Sequence, residues 1–284
     1  MNHSVLNSPR LLELKKKRNK ILRRKIIIYF SVFIAVLVGL SFLSKWQKLN
    51  ITDIQISGNK VIETNLIEEV AREKITGDYL WFFPKTNFLL YPKSQIEEAI
   101  ATKFKRLKDI SVKVINPQKL EISVVERTAL YTYCGFTPPE ITDGVDEHKQ
   151  QCSFLDQEGY IFDEAPYFSG EVYLKLYGPT SNSYFFQPNF TKLIVLKDNL
   201  EKIKLKPSAF FVEDNGDMRI LLSSGVSKKG PEILIKADAD FEKIVENLQT
   251  ILTTEPLQTE FKNKYSSLLY IDLRFGNKVY YKFR

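Results

Sequence analysis

DISVKVINPQKLEISVVER, residues 109–127, alternates apolar and polar residues on both sides of an Asn-Pro pair. Apolar side chains occupy every second position in each half, as Ile110, Val112 and Val114 in the first and Leu120, Ile122 and Val124 in the second. This period of two is typical of strands that bury one face, and Asn116-Pro117 with the next two residues is typical of a turn. The stretch therefore predicts a β-hairpin with one face covered by other parts of the chain.

One strand and two amphipathic helices are predicted before the hairpin. The segments are LNITDIQISGNKV (residues 49–61), TNLIEEVAREKI (residues 64–75) and SQIEEAIATKF (residues 94–104). The first alternates apolar residues, whereas the other two repeat them at helical spacing. Thr64 or Asn65 is expected to cap the first helix, and Ser94 the second. The order β-α-α-β-β predicts a compact α+β module whose two helices cover one face of a three-stranded sheet.

An aromatic segment, GDYLWFFPKTNFLLYP, separates the two predicted helices. Its cluster LWFFP, residues 80–84, is expected to be a hydrophobic cover for the helices. Exposure of the cluster would instead indicate a contact with a membrane leaflet or with a partner.

An apolar segment lies farther towards the N-terminus. IIIYFSVFIAVLVGLSFLS, residues 26–44, has no charged residue. At 1.5 Å per residue a helix of this length measures about 28 Å, close to the thickness of the hydrocarbon core of a bilayer. We expect an uncleaved, membrane-spanning signal anchor. The alternative is a cleavable signal peptide of a secreted protein, since Gly39-Leu40-Ser41 has the small-x-small pattern of a cleavage site.

The basic residues are concentrated directly before this segment. The whole chain has a net charge of +7, which by itself would suggest a nucleic-acid binder. Residues 1–25, however, carry nine Lys or Arg and one Glu, whereas residues 26–284 carry 32 basic and 33 acidic residues. Basic residues that flank a membrane span stay in the cytoplasm. We therefore expect a cytoplasmic N-terminus, extracytoplasmic domains and no nucleic-acid partner.

The two cysteines flank a polar loop. Cys134 and Cys152 lie beside strand-like sequence at the ends of GFTPPEITDGVDEHKQQ, residues 135–151. Outside the cytoplasm a disulfide is reasonable, and closing a loop of this size stabilises a protein by about 3 kcal/mol in the chain-entropy model. Two unpaired thiols are the alternative. No metal site is expected, because His148 is the one imidazole nearby and zinc needs more ligands.

Residues 128–284 predict a second domain, mostly of antiparallel β-structure. FFVEDNGDMRILLSSG (residues 210–225) predicts a hairpin, EILIKA (residues 232–237) a further strand, and DADFEKIVENLQTIL (residues 238–252) one long helix with Asp238 or Asp240 as its cap. LLYIDLRFGNKVYYKFR, residues 268–284, predicts a last hairpin that turns at Gly276-Asn277. We expect Leu269, Ile271, Leu273 and Phe275 on one face, Tyr270, Asp272 and Arg274 on the other, and the final strand at a sheet edge.

Several short motifs in this order carry a family resemblance. A basic tail, one span, I-x-I-S-G-N with Gly58 and Asn59, and V-x-E-R ending in Glu126 and Arg127 resemble the membrane anchor and POTRA domain of the FtsQ/DivIB cell-division proteins. FLDQEGYIFDE (residues 154–164) and YIDLRF (residues 270–275) are similar to that family's D-x-x-G-x-[VI]-F and [VI]-D-L-R-[FY] segments. The resemblance covers nearly the whole chain. The loop at residues 135–151 and the stretch at residues 169–189 look like insertions.

The resemblance implies four parts: a basic cytoplasmic tail (residues 1–25), a transmembrane signal anchor (26–44), a POTRA domain (45–127) and an FtsQ-like β domain (128–284). The fold class implied is α+β: one transmembrane helix, a β-α-α-β-β POTRA domain and a mostly antiparallel β domain with one long helix. The function implied is that of a bitopic scaffold of the divisome in the plasma or inner membrane, which links early and late division proteins in septum formation. Its partners would be an FtsB/DivIC-like and FtsL-like complex, with FtsW/FtsI-type septal synthesis proteins as further partners.

The same resemblance implies that the C-terminal hairpin receives the FtsB-type partner. The partner-binding residues would be Tyr270, Asp272, Arg274, Phe275, Lys278, Val279, Tyr280, Tyr281, Lys282 and Phe283. An edge strand can pair with an extended segment of another chain. The residues alone favour the opposite interpretation, because Lys278, Lys282 and Arg284 are of the type that protects sheet edges from pairing.

Neither a catalytic site nor a cofactor nor a small-molecule substrate is expected. The chain has two histidines, His3 in the tail and His148 in the polar loop, and no G-x-S-x-G, P-loop or H-E-x-x-H motif. We therefore expect a binding protein and not an enzyme. The alternative is a POTRA-bearing component of a transport or secretion assembly. Such a component would normally feed a β-barrel, and residues 128–284, with their long helix, lack the barrel's even series of strands.

Overall fold

Helix α1 (Pro9–Ser44) begins the described part of the chain and contains the apolar segment. The computed structural model describes residues 9–139, 150–223, 230–255, 257–276 and 278–284. Within Glu13–Ser44 an 18-residue window has a mean hydropathy of 2.7, and the helix is long and apolar enough to cross a membrane. Of the side chains described in this range, all are exposed except those of Ser41 and Ser44.

The chain divides into two compact units, Met1–Glu126 and Arg127–Arg284. After α1, the first unit contains β1 (Asp53–Ser57), α2 (Thr64–Ile75), β2 (Asp78–Tyr79), β3 (Phe83–Pro84), α3 (Lys93–Lys103), β4 (Leu107–Asn116) and β5 (Lys119–Glu126). The sheet order is β1-β5-β4, with β1 parallel and β4 antiparallel to β5. All five predicted elements are present, and β2 and β3 add a short hairpin between the two helices.

The register of the β4–β5 hairpin follows from the alternation in its sequence. Ile110 pairs with Val124, Val112 with Ile122 and Val114 with Leu120. Leu120, Ile122 and Val124 are buried in one core with Ile67, Val70 and Ala71 of α2 and Ile96 and Ile100 of α3. Because successive strand residues point to opposite faces, Ser123 and Val125 lie on the opposite, exposed face. Both helices therefore cover the same face of the sheet.

The predicted caps of α2 and α3 are wrong. Glu63 and Pro92 occupy the N-cap positions, and neither side chain makes a capping hydrogen bond. Thr64 already belongs to α2, and its hydroxyl accepts a hydrogen bond of 3.0 Å from the amide of Asn59. The start of α2 is thus fixed by the preceding loop. Helix α3 begins before Ser94, because the carbonyl of Pro92 accepts a hydrogen bond from the backbone N–H of Ile96.

The second unit is built on a nine-stranded sheet. In chain order its β-strands are β6 (Tyr131–Tyr133), β7 (Cys152–Leu155), β8 (Ile161–Ala165), β9 (Lys175–Tyr177), the small hairpin β10 (Thr180–Ser181) and β11 (Tyr184–Phe185), β12 (Pro207–Val212), β13 (Asp217–Leu222), β14 (Glu232–Lys236), β15 (Leu268–Phe275) and β16 (Lys278–Phe283). The sheet order is β16-β15-β14-β13-β12-β9-β6-β7-β8, and β10 and β11 pair separately. Five of the neighbouring pairs are antiparallel and three are parallel, so the sheet is mixed.

The described part of this unit has three α-helices where the sequence predicted one. They are α4 (Phe190–Lys202), α5 (Phe241–Thr253) and α6 (Leu257–Lys264). Helix α5 is the predicted one, and the carboxylate of Asp240 caps it by accepting from the backbone N–H groups of Glu242 and Lys243. Helix α4 was missed, although Phe190, Leu193, Leu196 and Leu200 lie on one helical face and are buried in the core.

The stretch at residues 169–189 is not a peripheral insertion in this fold. It contributes β9, which lies in the interior of the sheet between β12 and β6 and pairs in parallel with both. Leu176 of β9 is fully buried in the core. Of the other stretch that looks like an insertion, residues 140–149 lie outside the described part of the chain.

Candidate functional site

The last strand, β16, lies at an edge of the nine-stranded sheet, as predicted. In the described part of the chain it pairs with β15 and with no other strand. The turn between them begins at Gly276, whose φ is +65°, and Asn277 lies outside the described residues. A strand in this position carries backbone donors and acceptors on its outer side that can pair with another chain.

Three aromatic side chains are exposed on this hairpin. Phe275 is 57% exposed, Tyr280 50% and Tyr281 38%. The rings of Phe275 and Tyr280 are 5.5 Å apart in an edge-to-face arrangement, and those of Tyr281 and Phe283 are 5.9 Å apart. Val279 and Phe283 pack against the core of the unit. The core thus holds β16 in place while the strand presents aromatic surface to the outside.

A bulge in β15 changes the predicted faces of this strand. The register shifts between Leu268 and Tyr270, so that Leu268, rather than Leu269, is buried in the core together with Ile271 and Leu273. The prediction is therefore wrong for Leu269, and Phe275 is exposed at the end of the strand. A bulge adds one residue to one strand of a pair and so reverses the alternation on one side of it.

A network of charged side chains joins β15 of the hairpin to the neighbouring strands. It is called the DLR network here and is formed by Asp217, Lys236, Asp272 and Arg274. Arg274 donates to the carboxylate of Asp272 through Nε at 2.9 Å and Nη2 at 2.6 Å, and to Asp217 through Nη1 at 2.6 Å. Lys236 donates to the other oxygen of Asp217. The network joins the ends of β13, β14 and β15.

The pKa values of Asp217, Asp272 and Arg274 favour the ionised forms of these three groups. Hydrogen bonds from Lys236 and then from Arg274 lower the pKa of Asp217. Burial opposes ionisation of Asp272, but the hydrogen bonds from Arg274 outweigh it and lower the pKa of that carboxyl. The two carboxylates in turn raise the pKa of Arg274 above its ordinary value. These two carboxylates and the guanidinium therefore stay charged at neutral pH.

This network determines which predicted partner-binding residues are available. Asp272 is 5% exposed and its carboxylate is occupied by Arg274, so it positions Arg274 and cannot form part of a contact surface. Arg274 is partly exposed, and its guanidinium carbon lies 5.7 Å from the centre of the Phe275 ring. Tyr270 is half-buried and pairs with Lys282, whereas Lys278 and Lys282 are exposed.

The predicted motif residues of the first unit meet at the turn after β1. Gly58 has a φ of +92°, and a Cβ at this position would lie 2.0 Å from the carbonyl oxygen of Val124, so the position requires glycine. The side-chain amide of Asn59 donates to the carbonyl of Ile62 at 2.8 Å. S-G-N therefore shapes a loop that lies directly on β5.

Glu126, at the end of β5, holds the same loop. Its carboxylate accepts hydrogen bonds from the backbone N–H groups of Lys60 at 2.8 Å and of Val61 and Ile62 at 3.0 Å. Partial burial of the carboxyl favours the neutral form, but these three N–H groups outweigh it and lower the pKa of Glu126. S-G-N and the Glu of V-x-E-R thus form one structural unit.

Arg127 belongs to the second unit and has a different role. Its guanidinium forms an ion pair with the buried Asp156 and lies 4.1 Å from the centre of the Tyr160 ring. Asp156 also accepts from the backbone N–H groups of Glu158 and Tyr160 at 2.9 Å each. Asp156 was not predicted as a site residue, although the D-x-x-G pattern of this turn is the signal that could have identified it.

Cys134 and Cys152 form a disulfide in the structure. The bond joins the start of β7 to the residue that follows β6, and Cys134 is buried. The amide of Gln150 donates to the carbonyl of Cys134 at 2.7 Å and closes the described ends of the loop. His148 lies outside the described residues.

The hairpin β15–β16 is the surface on which an edge strand, exposed aromatic rings and exposed lysines coincide, and it is our candidate functional site. The resemblance to FtsQ/DivIB proteins depends on the motifs quoted above. No protein-family model matches this chain, and no curated protein is significantly similar to it.

Proposed function

We propose that this protein is a single-pass membrane scaffold of the bacterial division machinery, which binds an FtsB/DivIC-like and FtsL-like complex through β16. In this proposal α1 anchors the chain in the plasma or inner membrane, with the N-terminus in the cytoplasm and residues 45–284 outside it. The protein acts by assembly and catalyses no reaction.

The distribution of charge supports the topology. The nine basic residues among residues 1–25 precede a helix that is long and apolar enough to cross a membrane. Basic residues next to a span are retained in the cytoplasm. A disulfide between Cys134 and Cys152 is consistent with an oxidising extracytoplasmic location.

The first unit supports the assignment of a POTRA domain. It has the element order β-α-α-β-β, with the last strand central in the sheet and both helices on one face. The motif residues Gly58, Asn59 and Glu126 meet at one turn. We assign the remaining residues, from Arg127 onwards, to an FtsQ-like β domain.

The observation that carries the binding function is the position of β16 at the sheet edge. An extended segment of the partner would add a tenth strand by pairing with the outer backbone groups of β16. Phe275, Tyr280 and Tyr281 would then contact the partner's side chains. Aromatic side chains are enriched among the residues that carry most of the binding energy in interfaces.

The two exposed lysines of β16 contribute specificity. If a second copy of β16 approached the edge as an antiparallel strand, Lys278 and Lys282 of the two copies would lie close together and repel. A partner strand with acidic or apolar residues meets no such repulsion. The lysines therefore disfavour self-pairing and leave the edge available to a different chain.

Site-specific photo-crosslinking in dividing cells tests this proposal. The full chain would carry a photo-reactive amino acid at Tyr280, or, as a control, at the exposed Glu164 of β8 at the opposite edge of the sheet. We expect a crosslink to the FtsB/DivIC-like protein from position 280 and none from position 164. A crosslink from position 280 to an outer-membrane barrel or secretion protein would favour the transport alternative. Equal crosslinks from both positions would contradict a site at β16.

A further inference from the structure

The turn of the β2–β3 hairpin presents three apolar side chains to the outside. Leu80 is 85% exposed, Trp81 88% and Phe82 55%; these three residues are called the apolar tip. The expectation that this cluster covers the helices of the first unit is therefore wrong for its most apolar members. Isolated exposed apolar residues need no explanation, but a contiguous apolar group at a hairpin tip indicates a contact with something outside the chain.

The backbone of the tip supports this interpretation. Leu80 and Trp81 have φ values of +49° and +67°, and the N–H of Phe82 donates to the carbonyl of Tyr79 at 3.0 Å. A turn with positive φ at both central positions normally contains Asn and Gly, because bulky residues are strained there. In this turn the strained residues are a Leu and a Trp that make little contact with the rest of the chain. Such strain is typical of functional positions.

The tip is fixed beside the last turn of α1. The hydroxyl of Ser41 donates to the carbonyl of Phe82 at 2.7 Å. The side-chain amide of Asn87 donates to the carbonyl of Ser44, the last residue of the helix, at 3.1 Å. Ser41 and Ser44 are the two buried residues among the described side chains of α1. Ser41 is three residues before the end of the helix. The Phe82 backbone beside it therefore lies about 4.5 Å from that end, measured along the helix axis towards the N-terminus.

We propose that the apolar tip inserts into the outer leaflet of the membrane that α1 crosses. This inference rests on the proposed role of α1 as a membrane anchor. If residues 26–44 fill the hydrocarbon core, a backbone beside Ser41 lies just inside the outer boundary of that core. Trp at this depth is favoured because its ring is partly apolar and partly polar.

The hydrogen bonds of the Phe82 backbone are compatible with insertion. Polar backbone groups that enter a bilayer need partners within the protein. The N–H of Phe82 is paired with Tyr79 and its carbonyl with Ser41. Two further apolar side chains are exposed close in sequence to these contacts: Leu89 (75%) lies two residues after Asn87, and Trp46 (58%) two residues after Ser44.

Insertion would give the first unit a second attachment to the membrane. With the tip in the outer leaflet, the unit is held by two points, α1 and the β2–β3 hairpin. The proposal thus assigns lipid to the apolar surface. Binding of a partner protein or of a second copy of the chain at this surface would contradict it.

Tryptophan fluorescence tests the insertion directly, because the chain has two tryptophans, Trp46 and Trp81. The Trp46→Phe variant of the full chain leaves Trp81 as the only tryptophan, and its emission can be excited selectively over that of the 14 tyrosines. This variant would be placed in lipid nanodiscs at one chain per disc, with and without lipids that carry a nitroxide near the headgroup end of the acyl chain. We expect nitroxide lipids to remove most of the Trp81 emission and aqueous iodide to quench it little. Strong iodide quenching with no effect of nitroxide lipids would overturn the proposal.

The matched Trp81→Phe variant separates this result from a failure of the anchor. It leaves Trp46, two residues after the end of α1, as the only tryptophan. If nitroxide lipids quench Trp46 but not Trp81, α1 is embedded and the tip is not. If they quench neither, both the anchor and the insertion are contradicted. One purified chain per disc excludes a partner or a second copy as the cause of reduced iodide quenching.

Discussion

The carboxylate of Glu126 makes the turn after β1 sensitive to pH. Its pKa is lower in the folded protein than in the unfolded chain, so its contribution to stability is complete above the unfolded pKa of about 4.3 and is lost as the pH falls through the folded pKa. We expect the hydrogen-exchange protection of the Lys60, Val61 and Ile62 amides to fall below about pH 4.3. In the Glu126→Gln variant this protection should be lower at neutral pH and should change less with pH. Unchanged protection in the variant would contradict the role of the carboxylate.

Alanine substitutions at Gly58 and Gly77 distinguish the cost of backbone strain from the cost of a steric clash. Their φ values are +92° and +91°, but a Cβ would meet the Val124 carbonyl at 2.0 Å in the first case and nothing within 4 Å in the second. We expect Gly77→Ala to lower the free energy of unfolding of the first unit by about 1 kcal/mol, from strain alone. Gly58→Ala should cost about 3 kcal/mol or more, because β5 must also move. Urea-dependent hydrogen exchange on the full chain measures both, and equal losses would show that the clash is relieved without cost.

At the scale of elements, the DLR network should stabilise the end of the sheet on which the C-terminal hairpin lies. Arg274→Met would leave the buried Asp272 without its cation and Asp217 with Lys236 alone. We expect a loss of about 3 kcal/mol, because breaking a buried ion pair leaves an uncompensated charge. The double variant Asp272→Asn/Arg274→Met should lose less than Arg274→Met alone. Additive losses in chemical denaturation would mean that the two side chains act independently.

The exposed side chains of Phe275 and Tyr280 should contribute to the affinity for the partner but little to the free energy of unfolding. Phe275→Ser and Tyr280→Ser each remove a ring that is half exposed. We expect each to weaken binding of the FtsB/DivIC-like partner by about tenfold or more, as for interface hot spots, with a small change in stability. Val195→Ser on α4, where the side chain is 47% exposed, is the matched control and should leave affinity unchanged. Pull-down titrations with the full chain in detergent would measure the differences.

The elements differ in how far the sequence determines them. The β4–β5 hairpin was predicted because apolar residues alternate on both sides of one turn. Helix α4 was missed because its β-branched Thr191, Ile194 and Val195 favour strands by local propensity, whereas burial of Phe190 and Leu193 decides the structure. The bulge after Leu268 has no local sequence signal and arises from pairing with β16.

The candidate site was predictable in position but not in its internal chemistry. The sequence predicted the hairpin at residues 268–284 and the edge location of its final strand, and both are present in the structure. The contacts of Arg274 with Asp217, however, join residues 57 positions apart that meet only through the order β13-β14-β15 of the sheet. The sequence therefore assigned Asp272 to the partner surface, whereas the fold commits its carboxylate to Arg274.

At the scale of the whole molecule, the charge of the tail and the state of the cysteines should be coupled. The tail orients α1, and the orientation decides whether Cys134 and Cys152 are exposed to an oxidising compartment. In the natural chain we expect neither cysteine to react with an alkylating reagent under denaturing, non-reducing conditions, because both are in the disulfide. Replacing the nine basic residues of residues 1–25 by Gln should invert part of the population and yield chains in which both thiols react.

In the control for this experiment, the same number of exposed basic residues is replaced by Gln in the second unit. The tail is left unchanged. These variants should keep the disulfide, because the charge that orients α1 is the charge directly beside it and not the net charge of the chain. Mass spectrometry of the alkylated protein reports the fraction of reacted chains, and protease digestion of intact spheroplasts reports the orientation of the same sample. If the tail variant is inverted but remains fully oxidised, the disulfide does not depend on the extracytoplasmic location. If it is neither inverted nor reduced, the basic tail does not determine the topology. The concentration of basic residues in the tail, which gives the chain its net charge of +7, then has a different function.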